Sequence, residues 1–257
     1  MLLKAALSIV GTVALAYLAL CGWMYAKQRE LVYFPQSTRV EPERTDFALR
    51  RDGVTLRGWV VNRGQPGAIV YFGGNAESIE GMREDFARWF PEHSTYLVAY
   101  RGFGASDGSP TEAALLADAL AVFDAVQARH PGAGIIAIGR SLGSGVAGHL
   151  ASQRPVARLA LITPFDSLAD VAQAHYRWLP VRRLMKDRYD AADWLAEYRG
   201  PVLVIRAGRD EVIPAANTNR LIASLATPPQ VIELPAAGHN TVGDDPRFGE
   251  ALRGFVE

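Results

Sequence analysis

Six short apolar runs follow one another along the chain: 68–72 (AIVYF), 94–100 (STYLVAY), 134–139 (GIIAIG), 157–163 (ARLALIT), 201–207 (PVLVIRA) and 230–235 (QVIELP). Runs of this length and composition are what a parallel sheet buries on both of its faces. Segments with helical patterning stand between and beyond them, at 79–90, 112–129, 142–153, 215–225 and 246–256. Such a succession demands right-handed crossovers and a mostly parallel sheet with helices on both faces, and it puts ligand sites at the carboxyl ends of the strands. Upstream, FALRR and VTLRGWVV flank Asp52-Gly53, a favoured two-residue hairpin turn, so the domain is expected to open with antiparallel strands. With 257 residues, 49% of them hydrophobic, the chain has material for one large α/β domain.

The N-terminus adds a different element. From Ala5 to Ala26 there is no charged residue, and at 1.5 Å per residue a helix of that length is roughly 33 Å long, enough to cross a bilayer. The expected organisation is an anchor at 1–27, a connector at 28–44 and a catalytic domain at 45–257. Residues 1–26 are read as a separate tether that adds nothing to catalysis on soluble esters, the core beginning near Thr45. A cleaved signal peptide is the rival reading, because Ala14-Leu15-Ala16 resembles a cleavage site. Lys4 precedes the span and Lys27, Arg29, Arg39 and Arg44 follow it, which leaves the side of the membrane open.

Lys and Arg together number 27, as do Asp and Glu, so no global field exists to gather nucleic acid, and none is expected as a partner. The single cysteine, Cys21, lies in the apolar segment and makes an intrachain disulfide impossible. Neither an H-E-x-x-H pair, a cysteine–histidine cluster nor a phosphate loop is present, so no catalytic metal or other cofactor is expected.

At the end of the third run stands Gly139-Arg140-Ser141-Leu142-Gly143. A serine between glycines where a strand gives way to a helix fits a nucleophile elbow, with Gly139 and Gly143 removing the Cβ atoms that would collide in so tight a turn. A serine nucleophile needs an imidazole to take its proton and a carboxylate to orient that imidazole, in the chain order Ser, Asp/Glu, His. Asp210 follows the run PVLVIRA and His239 follows QVIELP, both at strand carboxyl ends. Glu211 and Asp166 are the fallback carboxylates; His93, His130, His149 and His175 are the competing bases, none of which follows a late strand. An oxyanion needs two backbone N–H donors. Leu142, after the serine, offers one; Asn75, in the loop Gly73-Gly74-Asn75-Ala76, offers the other.

Together YFGGNAES, AYRGFGASDGSPTE, IGRSLGSGVA, TPFDSLADVA, VLVIRAGRDEVIP and AGHN resemble the α/β-hydrolase superfamily, in its branch of small serine hydrolases with an N-terminal membrane anchor. The likeness covers nearly the whole chain. It implies the α/β-hydrolase fold, hydrolysis of esters or thioesters, and Ser141, Asp210 and His239 as a triad. Gly73 stands where the family usually has a histidine, so only backbone donation remains at that position. The loop Arg101-Gly102-Phe103-Gly104 and Asp107-Gly108 looks structural.

An insertion at about 166–198 lies where this superfamily carries its lids. Trp178 is interleaved there with Arg182, Arg183 and Lys186, a pattern that suits contact with a membrane surface or, equally, a packed helix pair with a solvated basic face. The expected substrate is a small-molecule or lipid-linked acyl ester or thioester. A serine aminopeptidase, which would need an acidic pocket for a free amine, and a non-catalytic scaffold of the same fold are the alternatives.

Overall fold

A computed structural model describes residues 1–257. It opens with helix α1 (Leu2–Tyr33), followed by β1 (Phe47–Arg51), β2 (Val54–Val61), β3 (Gly67–Phe72), α2 (Arg83–Trp89), β4 (His93–Val98), α3 (Glu112–Arg129), β5 (Ile135–Arg140) and α4 (Leu142–Gln153). Then come β6 (Arg158–Ile162), α5 (Leu168–His175), α6 (Val181–Leu184), α7 (Ala191–Leu195), β7 (Val202–Ala207), α8 (Ala215–Ser224), β8 (Gln230–Leu234) and α9 (Pro246–Val256). The eight strands form one sheet in the order β1-β2-β4-β3-β5-β6-β7-β8. Only β1–β2 and β2–β4 pair antiparallel; all pairs from β4 to β8 are parallel.

The hairpin forms at Asp52-Gly53, with both residues at positive φ as a two-residue turn of this type requires. Each apolar run becomes a strand. Those inside the sheet, β3 to β7, are almost wholly buried, while β8 at the edge is half exposed. Helices α3 and α4 pack together on one face and α2 and α9 on the other. Trp89 of α2 meets Phe248 of α9 edge-on, 5.6 Å between ring centres. A Cβ on Gly249 would lie 2.5 Å from the Trp89 ring, so the close approach of the two helices needs a glycine there.

Helix α1 departs from the expected organisation. It continues past Lys27 to Tyr33, six residues into the segment expected as a connector, and stops where Phe34 turns left-handed ahead of Pro35. Its apolar side chains, among them Leu7, Val10, Val13 and Leu18, are covered by nothing else in the chain. A helix apolar all round is stable only in an apolar surrounding, and this one is long enough to span a bilayer. Its last turns nevertheless dock on the domain. Arg29 Nε and Nη2 donate to Asp187 at 2.9 and 3.3 Å, Gln28 donates to the Leu184 carbonyl and accepts from the Lys186 N–H, and buried Tyr33 meets Tyr189 hydroxyl to hydroxyl at 3.0 Å. The helix is therefore not the separate tether that its composition suggests.

Between β6 and β7 the chain leaves the sheet and builds α5, α6 and α7 over its carboxyl edge, the place expected for the insertion. Glu112, at the start of α3, accepts from the Arg188 and Tyr189 N–H groups at 2.6 and 2.9 Å and so pins this cap to the domain. Burial raises the pKa of that carboxyl.

Candidate active site

Strands β3, β5, β6, β7 and β8 end along one edge, with Phe72 opposite Gly139, Arg140 opposite Ile162 and Ala207 opposite Leu234. Ser141 follows immediately at φ 49° and ψ −117°, a conformation that costs a non-glycine residue about 1–3 kcal/mol. The flanking glycines make that turn possible. A Cβ on Gly139 would sit 2.3 Å from the Gly143 carbonyl oxygen, and one on Gly143 would sit 2.0 Å from that of Phe72.

His239 reaches back from the loop after β8 to place Nε2 2.9 Å from Ser141 Oγ. Its other ring nitrogen, Nδ1, lies 3.0 and 2.9 Å from the two carboxylate oxygens of Asp210. Asp210 is itself held by the N–H groups of Val212 and Ile213, at 2.9 and 2.7 Å. The fallback carboxylates do other work: Glu211 accepts from the His239 backbone N–H, and Asp166 is taken up by Asn217 and Arg220. None of the other histidines meets Ser141. His130 bonds Tyr96, His175 bonds the Val212 carbonyl, and His149 meets Trp194 edge-on.

The loop after β3 comes up beside the start of α4, with Gly74 against Ser141. The backbone N–H groups of Asn75 and Leu142 have no acceptor within the protein. Two residues not singled out in the sequence hold this arrangement. Glu77 accepts from the Gly74 N–H at 2.5 Å and the Tyr71 hydroxyl at 2.7 Å, and pairs with Arg140 at 3.3 Å; Arg140 also donates to the His239 carbonyl at 3.4 Å. Burial opposes the charge on Arg140, but Glu77 and Tyr71 outweigh it and raise its pKa. The signal was available: an arginine closing an otherwise apolar buried strand requires a partner. Arg101, by contrast, forks onto buried Asp118 of α3 and ties down the loop that carries it, as a structural reading of that loop expects.

A cavity of about 240 Å³ opens beside Ser141, and 17 of the 20 residues lining it are hydrophobic. One wall comes from the insertion, including Leu168, Val171, Leu184 and Met185; the opposite wall comes from α1, including Cys21, Met24, Tyr25 and Leu31. The basic residues of the insertion are partly engaged already. Arg182 pairs with Asp170, and Lys186 lies over the Tyr25 ring at 4.1 Å, which leaves Arg177 and Arg183 exposed without an ion pair. Trp178 is 56% exposed, with its carbonyl accepting from Tyr17 of α1 at 2.8 Å.

A sheet of this order, with a serine on a strained turn after β5, a carboxylate after β7 and an imidazole after β8, is the α/β-hydrolase fold. Comparison with known proteins agrees. The family model described as serine aminopeptidase, S33 matches residues 64–185. An uncharacterized protein of Mycobacterium tuberculosis is 38% identical over 251 residues, 91% of this chain and 88% of the relative. The α/β hydrolase domain-containing protein WAV2 of Arabidopsis thaliana is 28% identical, over 84% of this chain and 82% of the relative. An esterase of Pyrococcus furiosus superposes with a TM-score of 0.66 at 17% identity, covering 85% of this chain and 98% of the esterase, a likeness of fold. The chain belongs to the α/β-hydrolase superfamily, and it is a hydrolase.

Proposed function

We propose that this protein is a membrane-tethered serine hydrolase acting on esters or thioesters of acyl chains. Ser141 attacks the acyl carbonyl while His239 takes its proton, Asp210 holds the imidazole in the right tautomer, and the Asn75 and Leu142 N–H groups receive the oxyanion. As the tetrahedral species collapses, His239 returns the proton to the departing alcohol or thiol and the acyl group stays on Ser141 Oγ. Water, deprotonated by the same imidazole, then attacks the acyl-enzyme and releases the carboxylic acid.

The observation that carries the reading is Ser141 Oγ, strained and 2.9 Å from His239 Nε2, at the mouth of an apolar cavity. The matching family model favours a peptidase acting at a free amino terminus as the second reading. Such a substrate brings an ammonium group that needs a carboxylate, and no carboxylate lines the cavity. An ester or thioester, neutral around its carbonyl, suits these walls better. A scaffold function would require none of this hydrogen-bonded chain.

For the tether, the supporting observation is a helix uncovered along its apolar length yet fastened at its end to the insertion. Cleavage after Ala16 would leave Tyr17, Cys21 and Met24 all in place; a retained anchor is favoured because the uncharged apolar stretch runs on past that point to Ala26. Trp178 then lies against Tyr17, about 15 Å along the helix from Lys27 and within the apolar span, while the segment just after Arg183 meets Tyr25 and Gln28 where apolar sequence gives way to Lys27.

The test is labelling by a fluorophosphonate probe, which needs an activated serine and no knowledge of the substrate. The wild-type protein is expected to label and Ser141→Ala is not. Equal labelling of the two would overturn the assignment.

A further inference from the structure

The cavity beside Ser141 has walls of different origin. Its inner wall belongs to the hydrolase domain and its insertion, but its outer wall is the N-terminal helix. Cys21, Met24, Gln28 and Leu31 recur at intervals of three or four residues and so fall on one face of α1. From Cys21 to Val32 this face is about 16 Å long. At one end the Val32 carbonyl accepts from Asn75 Nδ2 at 3.0 Å, which sets that end beside the serine. The other end, Cys21, lies inside the uncharged stretch 5–26, at the level of the bilayer. A chain lying along this face passes from lipid to the nucleophile without meeting a charge.

We propose that α1 is part of the substrate site, a reading that rests on the serine-hydrolase assignment above. The acyl chain lies between Cys21, Met24 and Leu31 on one side and Val171, Leu184 and Met185 on the other. Its carbonyl is at Ser141 and its methyl end points toward the membrane. An apolar cavity of about 150 Å³ holds a benzene ring, so the 240 Å³ here admits a chain of more than six carbons. The ligand class is a medium or long acyl chain carried by a bilayer lipid, and the helix selects for its length as well as holding the enzyme at its source.

The experiment uses the full-length protein in lipid nanodiscs and a series of p-nitrophenyl esters from butyryl to dodecanoyl. Rates are normalised to the serine titrated by fluorophosphonate. Wild type is expected to favour the longer esters. Each methylene removed from water is worth roughly fourfold, so a bulky side chain that displaces two or three lowers the dodecanoyl-to-butyryl ratio of kcat/KM by roughly fifteen- to sixtyfold. Met24→Trp fills the cavity from the helix, and Leu184→Trp fills it from the insertion should the first variant not fold. Ala19→Trp adds the same bulk on the exposed, opposite side of α1 and is expected to keep the wild-type ratio. An unchanged ratio in folded, fluorophosphonate-reactive Met24→Trp and Leu184→Trp would overturn the proposal. An equal fall in Ala19→Trp would do the same, by tracing the effect to the bilayer. A wild-type protein that fails to label would overturn the serine-hydrolase reading itself, a different failure.

Discussion

Asn75 Nδ2 donates to the carbonyl of Val32 at 3.0 Å, so the residue whose N–H is assigned to the oxyanion is held by the last turn of the N-terminal helix. The neighbouring bond, from the Ala76 N–H to the Tyr33 carbonyl at 3.3 Å, repeats the attachment. Asn75→Ala keeps the backbone donor but frees the loop that aims it. Complete loss of one oxyanion donor costs about 3 kcal/mol; a loosened one is expected to cost less, about tenfold in kcat, with KM little changed. Steady-state kinetics on a soluble ester decide it, and a rise in KM at constant kcat would count against the oxyanion role.

Glu77 and Arg140 join the same loop to the residue preceding the nucleophile. Glu77→Gln is expected to lower kcat more than it alters KM, because the Gly74 N–H and the elbow lose their common partner. It also leaves the guanidinium poorly paired. Breaking a fully buried pair costs 3–5 kcal/mol; Arg140 retains 20% side-chain exposure, so about 2 kcal/mol is expected. Removing both charges, as Glu77→Gln with Arg140→Met, should recover most of the stability and little of the kcat. Recovery of both together would make the pair purely structural.

The three hydrogen-bonded residues should respond as a unit. Ser141→Ala and His239→Ala are each expected to lower kcat at least a thousandfold, and Asp210→Asn roughly ten- to a hundredfold less. Circular dichroism should show all three folded, since these side chains contribute chemistry rather than packing. A larger loss in Glu211→Gln than in Asp210→Asn would move the acid to Glu211.

The sheet was legible because burial on two faces leaves unbroken apolar runs, and the elbow because its glycines are forced by backbone contact. Asp210 and His239 could be picked out by their positions after strands, since the topology of a parallel sheet carries such positions to one edge. The role of α1 was not legible. A residue such as Met24 has the same character whether it faces lipid or an acyl chain, and composition does not distinguish the two. Gln28, Arg29 and Tyr33 read only as part of a connector because their partners, Leu184, Lys186, Asp187 and Tyr189, lie more than 150 residues away. The basic run of the insertion left two readings open for the same reason. Asp170 and Tyr25, which engage Arg182 and Lys186, come from other segments.

His149 gives the fold a pH dependence. Burial lowers its pKa below the ordinary 6.5, and its Nδ1 has no partner. The unfolded chain therefore binds this proton more readily than the folded one. The stability of the neutral form is complete above about pH 6.5 and declines as pH falls below it. His149→Phe keeps a ring against Trp194 and removes the titration, so its melting temperature relative to wild type should rise between pH 8 and pH 5.5. The same difference at both values would show that His149 does not titrate on unfolding.

A chain beginning at Gln28 tests whether α1 is a tether or a wall. It keeps Gln28, Arg29, Val32 and Tyr33, and with them the bonds to Leu184, Lys186, Asp187, Asn75 and Tyr189. It loses Cys21, Met24 and Tyr25 from the cavity, and Tyr17 from Trp178. A pure tether predicts the same preference among soluble esters in the long and short forms. The structure predicts otherwise: the shortened protein, isolated in detergent-free buffer, should label with fluorophosphonate and turn over butyryl esters, because the Ser141 and Asn75 ends of the site are intact. It should discriminate poorly between butyryl and octanoyl esters, since the distal half of the chain then lies in water. With each methylene worth about 0.8 kcal/mol, losing contact with two of them reduces the octanoyl-to-butyryl ratio roughly fifteenfold. An undiminished ratio in the shortened protein would return α1 to the role of a simple anchor.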